Sequence, residues 1–482
     1  MAINWSELRA ALEGHLILPG DPTYDLLRRP FNARVDRRPA AIARCVSETD
    51  VVQCVKFAHR LGIAVTCRGG GHGAEGFSSL DDALVIDQSA MQQIRIDTEA
   101  SVVHVGAGAQ WGQVDISTYA RLLAAPGGGC QAVGVGGLAH GGGFGPLSRS
   151  RGLTIDNMVS ARVVTSRDLR VIEVSATENA DLFWAIRGGG GGNFGAVTEF
   201  TFRLAPIEPA LLGGDLVYAW SDAKRMFQFY RDWMNSADNN EKLTFLPIFG
   251  FGPDNQPVAL MSTFYNGDYD EGIAYVAKIL SDANMPAPVN LPPGAPLSAV
   301  LGPGTLPAYT GTESTTAWPG SGQFWRSGFL QNDFPDAAID TFMTWFAQCP
   351  LPGGLKELPV TTGSYKKNDL SFGFIESLGG AIGRVGSTDT AFYWRDQRFS
   401  FTFIGIFDPD DAVWAEQTHQ WADDFRNAMA PYMMGGVYVN YVQAELQDYQ
   451  HAYYGGNFER LHLIKLEVDP KHVFRFPQDV WQ

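Results

Sequence analysis

Two nucleophilic side chains sit inside runs of glycine. His72 lies near the end of RGGGHG (Arg68 to Gly73), directly after the apolar run GIAVTC, and Cys130 follows three glycines in GGGCQAVGVGGLAHGGGFG. An imidazole and a thiolate can each add to an electron-poor ring, and a side chain so added becomes an attachment point. The glycines impose a second requirement. Ten of them fall between Ala124 and Gly145, where each costs about 0.5–1 kcal/mol relative to alanine in a helix or strand. That stretch is expected to be loop, with backbone held where something approaches closely.

A third glycine-rich loop runs from Gly188 to Val197. Open loops of this kind aim backbone N–H groups into anion-binding nests, so three of them converging on one ligand imply a long molecule with a diphosphate. RGGGHG follows a β run, yet it matches neither GxGxxG nor GxxxxGK[ST], so it is a different cradle from the dinucleotide and P-loop types. A flavin dinucleotide meets both requirements, since its ring offers the 8α-methyl and C6 carbons to a nucleophile.

The elements that must position these loops are readable around them. In SETDVVQCVKFAHRLGIAVTC, Ser47, Thr49 or Asp50 caps a helix whose Val51, Val55 and Ala58 share a face, Gly62 ends it, and Ile63 to Cys67 forms a strand leading into the first loop. SVVHVGAGAQWGQVDISTYARLL reads as strand, glycine turn and helix before the second loop. VVTSRDLRVIEVS reads as a hairpin turning at Arg167-Asp168, and DLFWAIRGGGGGNFGAVTEFTFRLAP as helix, glycines and strand.

At 482 residues the chain is long enough for two domains. After about Pro206 the glycine runs thin out, and MPAPVNLPPGAPL, the alternating strand FSFTFIGIF and the amphipathic helix WAEQTHQWADDFRNAMAPYM suggest a second α+β domain. The boundaries expected are 1–205 with 436–482 for the first domain and 206–435 for the second, and a ligand is expected between them. The net charge of −16, with no compensating Lys/Arg run, argues against nucleic acid as a partner. No stretch approaches the length of a membrane span. The opening MAINWSELRAALEGHL reads as an amphipathic helix, not a signal peptide, so a cytoplasmic location is expected. Five cysteines without metal-ligand spacing imply neither a zinc site nor a disulfide framework.

RGGGHG, GGGCQAVGVGGLAHGGGFG, DLFWAIRGGGGGNFGAVT and YYGGNFERLHLIKLEVDPKHVFRFPQ together resemble the berberine-bridge-enzyme-like FAD-linked oxidases. SLGGAIGRV and the AFYWR segment extend the likeness into the middle of the chain. The resemblance implies an α+β, two-domain vanillyl-alcohol-oxidase-like fold. It pairs a PCMH-type FAD-binding domain with a substrate domain of antiparallel sheet and covering helices. It also implies FAD attached twice, through His72 to the 8α carbon and through Cys130 to C6. By the same resemblance Arg68, Gly69, Gly70, Gly71, His72 and Gly73 cradle the diphosphate. Gly134, Gly136, Gly137 and Leu138, with Gly141 and Gly143 beyond, pass along the flavin. Val197 closes the loop serving the adenine end and ribityl chain, and Asn457 hydrogen-bonds the flavin pyrimidine. Val133 stands where the family controls oxygen access, and valine there resembles the oxidases. Leu138 departs from the His or Tyr common in the family and removes a donor near flavin N1, with His140 close by in sequence.

Oxidising an alcohol requires a base beside the reacting carbon. GGVYVNYVQ contains Tyr438, Asn440 and Tyr441, and the family motif, a strand reading YxNY, carries its catalytic tyrosine at the second Tyr, here Tyr441. With a reference pKa of about 10, that phenol is expected to be held as phenolate by positive charge or donors. Phe403, with Phe399 and Phe401, falls where some relatives place a second acid or base, which favours simple dehydrogenation in an aromatic cleft. Glu376, Tyr393 and Arg395 are candidate substrate contacts, each more readily read as structural.

The function expected is an oxidase converting a secondary alcohol or hemiacetal, in an oligosaccharide or a glycosylated natural product, to a ketone or lactone while O2 becomes H2O2. The alternatives are an amine-oxidising or ring-closing enzyme of the same family, or a flavin-binding protein without turnover.

Overall fold

A computed structural model describes residues 3–252, 256–314, 320–351 and 371–481. The first glycine loop hangs from a small sheet of four strands, His15–Ile17, Ala41–Arg44, Leu84–Asp87 and Val65–Arg68 in spatial order, the last three mutually parallel. The helix that delivers the chain to Val65 spans Glu48–Leu61. Ser47 caps it through its side chain to Asp50 N–H, and Gly62 at φ 69° ends it in the left-handed region that glycine adopts at least cost. A second sheet, wholly antiparallel, orders Ile94–Asp97, Val102–Gly106, Ala196–Arg203, Met158–Val164 and Val171–Ser175. The last two strands form the hairpin expected around Arg167-Asp168.

A seven-stranded antiparallel sheet occupies the middle of the chain. Its spatial order is Leu301–Gly304, Leu211–Ala219, Pro257–Tyr265, Leu243–Phe251, Phe372–Ser377, Phe399–Phe407 and Gly322–Phe329. Helices Trp220–Asn235, Asp336–Phe346 and Ala412–Met429 pack on one of its faces through an aromatic core that includes Phe227, Phe249, Phe342, Phe401 and Phe425. The tail rejoins the first part of the chain. Val65 bridges Phe474, and the helix Phe458–Val468 shares a core with the five-stranded sheet. Residues 378–394, including Leu378, Ile382 and Phe392, pack into that same core. Among the described residues no helix is long and apolar enough to cross a membrane.

Three local expectations change. The glycine-rich stretch contains a short helix, Val135–Gly141, because tertiary packing overrides propensity there. A Cβ on Gly141 would lie 2.1 Å from the Asn440 side chain, and one on Gly136 3.0 Å from the Ala107 carbonyl. The segment around YVNY is an extended stretch that closes in a turn, with Tyr441 N–H donating to the Tyr438 carbonyl at 2.8 Å, and is not a strand. Phe399–Phe407 does not alternate in exposure: it is buried at every position, because helices cover one face and the rest of the fold covers the other.

Candidate active site

A cavity of about 640 Å³ is lined by all three glycine loops, by one face of the seven-stranded sheet and by the Tyr438–Val442 turn. The first two loops interlock. A Cβ on Gly70 would meet Gly134 N at 2.6 Å, and one on Gly134 would meet Gly70 N at 2.3 Å, so the backbones touch and only glycine permits it. The N–H groups of Gly69, Gly70, Gly71, His72 and Gly73 donate to no protein acceptor among the described residues. Gly69 to His72 are half-buried, Gly73 is exposed and all five line the cavity, so this run of open donors is suited to an anionic ligand.

His72 is half-buried in the wall and stacks on Phe31, with ring centroids 4.3 Å apart at 15°. Burial pushes its pKa down to about 4, so the imidazole is neutral near pH 7 and keeps a lone pair for nucleophilic attack. Cys130 is half-buried and lines the same cavity. The turn that carries it is tied to the helix Trp111–Tyr119: Trp111 N–H donates to the Val133 carbonyl at 2.9 Å and Gly112 N–H to the Gln131 carbonyl at 3.0 Å. Val133, Gly136, Gly137, Leu138 and Val197 also face the cavity.

Four expected contacts lie elsewhere. The Arg68 side chain turns away, to Asp87 at 3.3 Å and the Leu27 carbonyl, and anchors the strand behind the loop. Gly141 and Gly143 are packing positions, pressed against Asn440 and against Thr154 and Leu138. Asn457 is buried, and its amide donates to the carbonyls of Ser387, Thr390 and Ala391 at 2.6, 3.2 and 3.3 Å. It braces that loop and does not line the cavity. His140 does reach the wall, but its Nδ1 lies 2.5 Å from the Gly136 carbonyl, and burial holds its pKa below the usual value.

Tyr441 is where the sequence places it, inside the cavity, and its hydroxyl donates to Glu376 Oε1 at 2.6 Å. The described partner is therefore a carboxylate acceptor, not the positive charge or donor expected. Phe144, Trp325 and Tyr438 surround the ring at centroid distances of 6.4, 5.2 and 4.9 Å. Tyr438 Oη accepts from Gly143 N–H at 2.8 Å and Asn440 Nδ2 at 2.7 Å, and burial raises its pKa, so this second tyrosine is a brace. Glu376 lines the cavity beside Tyr441, a placement that sequence reasoning undervalued. Its signal was present in FGFIES, where Phe372, Phe374 and Glu376 share one face of a strand and the acid interrupts an apolar face.

The other middle-domain candidates are structural. Arg395 is fully buried and holds Asp156 through two 2.8 Å bonds, and Tyr393 packs against Gly455 and Gly456. Phe403 stacks on Phe425 at 4.4 Å, facing the helices. It is Ile404 that faces the cavity from this strand, so Phe403 carries no argument about acid or base chemistry.

Residues 39–175 match the family model described as FAD binding domain, and residues 437–480 the one described as berberine and berberine like. An uncharacterised FAD-linked oxidoreductase of Bacillus subtilis, YgaK, is 30% identical over 481 residues, covering 98% of each chain. The chain belongs to the berberine-bridge-enzyme-like FAD-linked oxidoreductases. Glucooligosaccharide oxidase of Sarocladium strictum is 28% identical over 476 residues, 94% of this chain and 89% of that one. The solved structure of Physcomitrella patens BBE-like 1 superposes with a TM-score of 0.85 over 99% of each chain at 22% identity, which gives the fold: a PCMH-type FAD-binding domain with a second domain of antiparallel sheet and covering helices.

FAD suits this berberine-bridge-like site: the interlocked glycines leave backbone room, and the first loop presents free N–H groups to a diphosphate. Gly70→Ala tests the interlock. Forcing a methyl against the facing backbone costs about 1–3 kcal/mol and displaces the loop, which is expected to slow loading with the cofactor. The variant is expected to purify depleted of FAD by its absorbance ratio while keeping its far-ultraviolet circular dichroism.

Proposed function

We propose that this enzyme is an oxidase with FAD attached through both His72 and Cys130, and that it oxidises a hydroxyl of a carbohydrate or a natural product to a carbonyl while O2 becomes H2O2. The observation that carries the reading is the 2.6 Å bond between Tyr441 Oη and Glu376 Oε1, in the same cavity that His72 and Cys130 line. The flavin, when bound, supplies a hydride acceptor at N5 and an outlet for electrons to O2.

The chain's own residues manage the proton. As the substrate hydroxyl loses its proton to Tyr441 Oη, the phenol passes its own proton along the existing hydrogen bond to Glu376 Oε1. The carboxylate then holds the former phenol proton, and the tyrosine, holding the one that left the substrate, ends the step neutral. Val133, in the turn after Cys130, is small enough to leave O2 a path to the ring. Anaerobic mixing with a panel of sugars and alcohols tests the reading. Bleaching of the yellow colour by an alcohol, followed on admitting air by one H2O2 per carbonyl formed, is expected; a panel that leaves the colour unchanged overturns it.

The neutral His72 sets a pH dependence for attachment. Its lowered pKa of about 4 keeps the nucleophile unprotonated from pH 8 to about 5, so histidyl attachment to added FAD in apoprotein is expected to run at a flat rate over that range and to slow as pH falls toward 4. A rate that drops near pH 6.5, the ordinary histidine value, contradicts this.

Amine oxidation is a second reading that one observation favours. Asp215 and Glu376 face the cavity, and no Lys or Arg is among its described lining residues. In the same panel it predicts bleaching by amines and none by alcohols.

A further inference from the structure

The seven-stranded sheet turns one face to the cavity, and its registers sort that face into rows running across the strands. In the first row Asp215 stands opposite Ser262 and Ser262 opposite Leu246. Continuing the Ile248–Phe374 register by two residues puts Leu246 level with Glu376. All four line the cavity. The second row contributes Leu260, Ile248 and Phe374, and the third Val258, Gly250, Phe372, Ile404 and Trp325. Among the cavity-lining members of these two rows the one polar side-chain group is the Trp325 indole N–H, which donates to Gln323 at 2.9 Å; Thr402 and Ser327 continue the second row beyond Phe374 without lining the cavity.

Along the cavity-lining part of these rows polarity is therefore confined to the two ends of the first, and Thr244, two residues before Leu246 on the same face, is committed to the Pro146 carbonyl at 2.9 Å. At one end is Glu376 with Tyr441. At the other, Asp215 bonds the Ser262 hydroxyl, and Ser262 Oγ lies 3.2 Å from Tyr309 Oη. Three strand spacings of about 4.8 Å separate the two ends, roughly 14 Å between their backbones. Leu246 and the second row fill the interval with hydrocarbon. An oligosaccharide matches this surface poorly, because its hydroxyls would lose water against Leu260, Ile248 and Phe374 without gaining partners.

We propose that Asp215, Ser262 and Tyr309 form a distal subsite for an uncharged hydroxyl, and that the substrate is a rigid apolar-framed alcohol spanning from there to Tyr441 and Glu376. The inference rests on the alcohol-oxidase reading of this same cavity and narrows its substrate class. Burial holds the Asp215 carboxyl above the usual carboxylate range, which suits it to exchange hydrogen bonds with a neutral hydroxyl more than to pair with a cation.

The test compares three probes of two-ring length: bicyclohexyl-4,4′-diol, 4-cyclohexylcyclohexanol and cellobiose. Binding is read from the perturbed flavin absorbance of Tyr441→Phe holoprotein, in which turnover does not interfere. The diol is expected to bind about tenfold more tightly than the mono-alcohol, the effect of one net hydrogen bond, and cellobiose more weakly than either. Asp215→Leu in that background should erase the advantage of the diol and leave the mono-alcohol unchanged. Tyr309→Phe, which removes a single oxygen, should reduce it and guards against misfolding of the first variant. Cellobiose binding more tightly than the mono-alcohol, or a diol advantage that survives both substitutions, overturns the proposal. The two readings fail separately. A diol that binds as expected to a wild-type enzyme whose flavin no alcohol reduces removes the oxidase reading and keeps the subsite. Reduction by cellobiose with no diol binding does the reverse.

Discussion

Replacing Tyr441 by phenylalanine is expected to slow anaerobic bleaching of the flavin by about 10²–10⁴-fold, the range a positioned general base supplies, with the colour per mole of protein unchanged. The ring contacts to Phe144, Trp325 and Tyr438 survive the substitution, so the loss isolates the hydroxyl. Glu376→Gln should fall between the two. A glutamine oxygen can still accept the 2.6 Å bond but cannot take the proton onward, so the phenol must ionise unaided. The residual rate of that variant should therefore depend on pH more steeply than the wild-type rate. Rapid-mixing absorbance across pH 6–10 reads both effects. A Tyr441→Phe rate equal to wild type removes the tyrosine from the step, and an unshifted profile in Glu376→Gln removes the carboxylate.

Acid precipitation of the His72→Ala, Cys130→Ala double variant is expected to release all its colour to the supernatant, while either single variant keeps its pellet yellow. Intact-protein mass should show one FAD on each single variant, and digestion should place it on the peptide of the remaining nucleophile. The reason lies in placement. His72 and Cys130 sit on loops that interlock at Gly70 and Gly134, so removing one side chain leaves the other anchored, facing the same cavity. Release of all colour from wild-type protein overturns double attachment outright, and release from Cys130→Ala alone assigns the linkage to sulfur only.

The local elements were legible because their signals are local. Ser47 and Gly62 bracket a helix by cap chemistry, and Arg167-Asp168 marks a hairpin by its turn. His72 and Cys130 stood out because a run of glycines offers an imidazole or a thiol few neighbours in sequence to pack against, and the fold brings both to one cavity wall, where His72 also finds Phe31 to stack on. What stayed hidden needed a distant partner. Nothing within a few residues of Glu376 says that a turn near Tyr441 will come within 2.6 Å of it. Asn457 looks like a ligand contact in YGGNFERL until the carbonyls of Ser387, Thr390 and Ala391 are seen to use its amide. Phe403 misled for a related reason. In a strand buried on both faces, period-two patterning no longer distinguishes the helix side from the cavity side; only the cross-strand registers do. The helix Val135–Gly141 was missed because Gly136 and Gly141 are demanded by close neighbours, a tertiary cause that propensity does not contain.

The pairing of Val65 with Phe474 has a bearing on biogenesis. The strand that launches the first loop is paired with a segment about 400 residues later in the chain, and Lys465, near that segment, donates to the Asn193 carbonyl at 2.6 Å in the third loop. A nascent chain on the ribosome thus lacks part of its cradle until the segment around Phe474 has emerged. Loading with the yellow coenzyme is expected only once that segment is in place, and cells starved of riboflavin should accumulate colourless protein that takes up the coenzyme when it is supplied later.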